Sequence, residues 1–176
     1  MSRPSFFRKF RLRHGVTTRS DAVILLGPTD GLPAEVVFRY VVDQPYTVHM
    51  TVYVGGAGPS EWTFDRGLLI EGVKVPTGIG LVHIWPSLQE SEPRQARVAE
   101  MADHIRTTGA EDDLVVIQLG TPEAHARLAT SAPRVREFVD RIQQAVAVGA
   151  ESDLLNLDSA LAEILSNSGQ PESGPE

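Results

Sequence analysis

The sequence predicts an α+β fold in which strands come first and helices last, rather than alternating βαβ units. Two patterns carry that prediction. Tyr46, Val48, Met50, Val52 and Val54 alternate with Thr47, His49, Thr51 and Tyr53, which is the period of a half-buried strand. After Ala132 the period turns helical, with Val135, Phe138, Val139, Ile142 and Val146 on one stripe. At 176 residues, 41% of them hydrophobic, the chain is the size of one domain that can bury a core without staples.

Read in order, Ser2–His14 is basic and aromatic together, and residues 1–20 are expected to form an arm outside the core. Ala22–Gly27 reads as a short buried strand, closed by turn formers from Gly27 to Pro33. Glu35–Val42, rich in Val, Phe and Tyr, pairs with the alternating segment as an antiparallel hairpin. Trp62 and Phe64 point one way from a short strand, and Asp65–Gly72 forms a helical turn that Gly72 stops. Lys74–Gly80 reads as a loop, and Leu81–Trp85 as a strand that Pro86 ends.

Residues 87–112 differ in character and read as a helical insertion. Pro93 stands near its start, Val98, Met101, Ala102 and Ile105 form a weak stripe, and Gly109 stops it. Strands follow at Leu114–Leu119 and His125–Ala129. A helix then runs from Pro133 toward Gly149, with a shorter one at about Asp158–Ser166. The domain is thus expected over 21–166, with a disordered tail at 167–176.

The net charge is −7, but residues 1–20 hold six bases and no acid, leaving −13 on the remaining 156 residues. An acidic body repels polyphosphate, so the globular part is not expected to bind nucleic acid. With no cysteine there is no thiolate chemistry and no iron–sulfur or thiolate zinc site. Neither a membrane-length apolar run nor a signal-like leader is present, so the reading is a soluble, cytoplasmic protein.

His49, His83, His104 and His125 lack the paired spacing of metal ligands and read as structural or surface residues, so no metal is expected. Gly58-Pro59-Ser60 is no nucleophile elbow, and Gly78-Ile79-Gly80 opens a strand where a dinucleotide fingerprint opens a helix. The sequence therefore predicts neither an enzyme nor a cofactor.

Three blocks remain: Trp62-x-Phe64-x-Arg66-x-Leu68-Leu69-x-x-Gly72, Pro76-x-Gly78-x-Gly80 and Val82-x-x-Trp85-Pro86. From chemistry alone they are core packing around a cationic anchor. In this order and spacing, however, the chain resembles the SsgA-like sporulation and cell division family of actinobacteria. Arg39-Tyr40 and Pro45-Tyr46 upstream, with Phe138–Arg141 and Leu157–Leu161 downstream, extend the resemblance over roughly 33–165. The chain departs from the family pattern at Gln44, Leu81, Ala147 and Val148, and the arm and 87–112 look like additions.

The resemblance implies a whirly-like fold, in which two antiparallel β-sheets pack across each other with C-terminal helices on one side. It implies homotrimers and a non-enzymatic role in sporulation-specific septation, as a scaffold at the septum that localises or regulates FtsZ or binds other SsgA-like proteins. Whirly-like proteins include single-stranded nucleic-acid binders, which is the alternative, although the acidic body and 6% aromatic content oppose it. The basic arm supplies Phe6, Phe7 and Phe10 with Arg8, Lys9, Arg11 and Arg13, a combination that suits an anionic membrane surface. A disordered tail and a basic strand start packed on the body are the two competing readings of that arm.

Overall fold

The computed structural model describes residues 15–26, 31–87 and 113–154. The arm at 1–14, the insertion from 88 to 112 and the segment beyond 154, with its expected helix, lie outside the described residues.

The elements run β1 (Gly15–Leu25), β2 (Gly31–Val41), β3 (Thr47–Val54), β4 (Ser60–Asp65), α1 (Arg66–Gly72), β5 (Thr77–Ile79), β6 (Val82–Pro86), β7 (Leu114–Gly120), β8 (His125–Ser131) and α2 (Ala132–Ala145). A single 3-10 turn follows at Ser152–Leu154. All eight strands form one antiparallel sheet in the order β4-β3-β2-β1-β8-β7-β6-β5.

This corrects the expectation of two separate sheets. The halves β4–β1 and β8–β5 are each long ladders, but a four-residue seam joins them, Ala22–Leu25 against Arg127–Thr130. One continuous sheet curls so that both halves face the same core.

The first half shows how the alternation works. Register places Val16, Tyr40, Val48 and Phe64 in one row across four strands, and Thr18, Phe38, Met50 and Trp62 in the next. Phe38, Tyr40, Val48 and Met50 are fully buried, each large apolar side chain contributing about 1.5–3 kcal/mol. From the other half Ile84, Ile117 and Leu128 form a matching row and join the same cluster.

The helices close it. Asp65 caps α1 by accepting from the Leu68 amide at 3.1 Å, a cap worth about 1 kcal/mol. Leu68, Leu69 and Ile70 then turn into the core. Ser131 caps α2, whose stripe of Val135, Phe138, Val139 and Ile142 is buried. The Phe138 ring meets Phe38 with centroids 5.7 Å apart.

Two elements differ from the sequence reading. The first strand begins at Gly15 rather than Ala22, so residues 15–20 belong to the sheet and not to an arm. Its inward positions Thr18 and Ser20 carry hydroxyls, which hide the alternation. They are buried because Arg141 donates to Thr18 Oγ1 at 3.4 Å, and the Thr130 hydroxyl lies 2.8 Å from Ser20 Oγ. The expected loop at Lys74–Gly80 contains β5, three residues paired with β6 and the end strand of the sheet.

Candidate functional site

The motif residues fall into two places. The first is a buried knot around Arg66, the opening residue of α1, which is 1% exposed. Its Nη1 donates to the Tyr40 hydroxyl at 3.1 Å and toward the Pro45 carbonyl at 3.5 Å. Nη2 donates to the Val146 carbonyl at 2.6 Å and lies 3.5 Å from Glu151 Oε1. The guanidinium also stands over the Tyr40 ring, 5.4 Å from its centroid.

A buried cation needs such a set, since an unpaired one costs several kcal/mol. Glu151 is itself positioned by the Gly149 amide, which donates to it at 2.6 Å. Arg66 thereby ties the β2–β3 turn to the chain after α2. Burial raises the Tyr40 hydroxyl above its ordinary pKa, and the Arg66 hydrogen bond and charge oppose the shift.

The other residues of the first block pack around this knot. Phe64, Leu68 and Leu69 are buried, while Trp62 is half-buried and donates its indole N–H to Ser60 Oγ at 2.9 Å. Gly72 allows α1 to lie on the sheet, because a Cβ there would stand 2.5 Å from the Cβ of Ile84.

The second place is the outer face of β5–β8, where Pro76, Gly78 and Trp85 stand. Pro76, Thr77, Gly78, His83, Trp85 and Gln118 line an open cavity of about 270 Å³. Register builds it: Gly78 pairs with His83, His83 with Gln118, and Gln118 with Arg127. The His83 ring lies on the bare backbone of Gly78, where a Cβ would come within 1.9 Å of the ring. Its Nδ1 is buried without a hydrogen-bond partner.

Arg127 donates from Nε to Gln118 Oε1 at 3.2 Å and stacks over Trp85, 5.9 Å from the ring centroid. Among the described residues no carboxylate lies within ion-pair distance of it. Gly80, with φ of 62°, shapes the turn beyond, and Val75, Ile79 and Leu81 stand exposed beside it. Val82 and Pro86 of β6 alternate to the opposite side with Ile84 and are buried.

Sequence reasoning missed this grouping. His83, Gln118 and Arg127 lie on three strands, and only the register shows that they share a face. The other histidines read as surface groups stand apart. His49 hydrogen-bonds Gln44 Oε1 at 2.7 Å and Thr63 Oγ1 at 3.2 Å, and burial, then Arg39, lowers its pKa against a smaller opposing effect of Glu61. His125 lies against the Pro122 carbonyl at 3.2 Å, and His104 is outside the described residues.

Among the described residues no three His, Asp or Glu side chains group as metal ligands. No helix among them is long and apolar enough to cross a membrane. The arm residues Phe6, Phe7, Arg8, Lys9, Phe10, Arg11 and Arg13 lie outside the described residues.

Comparison with known proteins places these features. Residues 34–108 match the family model described as Streptomyces sporulation and cell division protein, SsgA. The chain is 35% identical over 152 residues to the sporulation-specific cell division protein SsgB of Saccharopolyspora erythraea, covering 85% of this chain and 93% of that one. It is 32% identical over 145 residues to SsgB of Streptomyces coelicolor, covering 82% and 91%.

The crystal structure of an SsgA-like sporulation-specific cell division protein from Thermobifida fusca superposes with a TM-score of 0.66 at 28% identity. It covers 87% of this chain and 97% of its own.

Proposed function

The chain belongs to the SsgA-like sporulation and cell division family, and from that premise we propose that it is a non-enzymatic scaffold acting at the septum during sporulation. The observation that carries this reading is its 35% identity, over 93% of the relative's length, to a protein named for sporulation-specific cell division. Its partners are FtsZ or other SsgA-like proteins, and it works by presenting surfaces that position or regulate them.

The described residues support a binding role through their chemistry. The buried ionic group, Arg66, is enclosed by side chains and carbonyls that hold the fold together. Pro76, Gly78 and the half-exposed Trp85 line an open surface cavity instead. Self-association into a trimer belongs to the same proposal. Among the described residues the sheet ends at β4 and β5, and end strands are a common route to association with another chain.

The test is a fluorescent fusion followed through sporulation together with the division ring, with purified FtsZ titrated against the full chain. Coincidence with the septum and direct binding are expected. A fusion spread evenly through sporulating cells would overturn the proposal, and light scattering that returns a monomer at micromolar concentration would remove the trimer from it.

A further inference from the structure

We propose that the cavity on the outer face of β5–β8 is a docking site for an acidic segment of a partner protein, with Arg127 receiving its carboxylate. This rests on the reading above that the chain binds protein partners.

The argument begins with charge. The chain carries a net −7, with 23 acidic residues against 16 basic ones, yet Arg127 has no acid beside it among the described residues. Its guanidinium is not loose. Gln118 holds Nε at 3.2 Å, and the Trp85 ring backs the plane at 5.9 Å. A cation fixed by a neutral amide and an aromatic face, with its terminal N–H groups uncommitted to a carboxylate, is pre-organised to take one bidentately.

Cavity shape adds the second half. The bare backbone of Gly78 and the His83 ring form a floor beside the Trp85 ring, and the cavity of about 270 Å³ accommodates side chains rather than a large cofactor. Gly78 of β5 marks one side of the cavity and Gln118 of β7, which holds Arg127, the other, so the segment lies across the face of the sheet rather than along its edge. A segment that carries a carboxylate satisfies Arg127, and its neighbouring side chains fill the space between Gly78, His83 and Trp85.

The experiment uses the full chain against an array of overlapping short peptides that cover the organism's cell-division proteins, FtsZ included, followed by solution titration of the segments that bind. Bound segments should be acidic, and their affinity should fall with added salt. Arg127→Glu and Arg127→Gln should weaken them about tenfold or more, while Arg134→Glu, an exposed cation on α2, should leave them unchanged. Gly78→Ala, which displaces the His83 ring, should also weaken them.

The idea falls if no segment binds, if bound segments show no acidic bias, or if Arg127→Glu and Arg127→Gln bind like the parent. It also falls if Arg127→Glu instead splits an oligomer, which would make the face a contact between copies. Septal localisation does not depend on these outcomes, so failure here and failure of the scaffold reading are distinguishable.

Discussion

The Arg66 knot and the Arg127 face both contain an arginine beside an aromatic ring, and they differ in what completes them. Arg66 is enclosed, with Tyr40, the Pro45 and Val146 carbonyls and Glu151 around it. Arg127 is half-exposed, with Gln118 and Trp85 as its neighbours and no acid in reach among the described residues. A buried cation paired through both terminal nitrogens, though not through Nε, contributes to folding, whereas an orienting but incomplete shell leaves a cation available for recognition. Blocks of one motif set can therefore serve different ends, and side-chain environment separates them where residue type does not.

Substitutions can break this contrast. The largest effect is expected from Arg66→Ala, which strands the Tyr40 hydroxyl, two carbonyls and Glu151. Urea denaturation should register a loss of about 3–5 kcal/mol. Arg66→Lys should recover only part of it, because one ammonium cannot serve both Tyr40 and Val146 as the guanidinium fork does.

The two motif glycines come next. Gly72→Ala forces a methyl group into the buried Ile84, anchored in the core, and should cost about 1–3 kcal/mol. Gly78→Ala meets the half-exposed His83 ring, which can swing outward, so the melting temperature should move less than for Gly72→Ala while the cavity changes shape. Equal destabilisation by the two would erase the distinction between a structural and an adaptable region. Smallest of the substitutions is Arg127→Ala, expected to change stability by no more than about 0.5 kcal/mol, as for a surface residue.

A pH titration sharpens the picture on the first half of the sheet. His49 has a lowered pKa in the fold, so below about 6.5 the unfolded chain binds the proton more readily. Stability from this residue is full above that pH and declines as pH falls toward the folded value. The melting temperature of the parent should therefore drop more on acidification than that of His49→Gln, and parallel curves would contradict the assignment.

Much of the first half was legible in the sequence because its burial alternates locally, as in β3 with Val48, Met50 and Val52. The stripe of α2 was legible for the same reason, since a single face of one helix packs. The start of β1 was not, because Thr18 and Ser20 occupy core positions and find their partners on α2 and β8, more than a hundred residues away. β5 was too short to show a period, and its pairing with β6 depends on a tight turn at Gly80. The four-residue seam that makes two ladders one sheet leaves no periodic trace at all. The knot was visible as an isolated arginine among leucines, but not its partners at Val146 and Glu151. The Arg127 face was invisible because strand register alone assembles it.

The seam also sets an order of events for a chain emerging from the ribosome. Strands β1 to β4 are joined by short turns and can pair as soon as residue 65 is free, yet the far edge of β1 at Ala22–Leu25 then waits for Arg127–Thr130. Closing across so long a stretch of chain is entropically slow compared with forming a hairpin. During that interval an unpaired strand edge and the hydroxyls of Thr18 and Ser20 stand without their final neighbours. A chain halted at that stage would expose the β1 edge, the kind of unpaired edge that invites pairing with another chain.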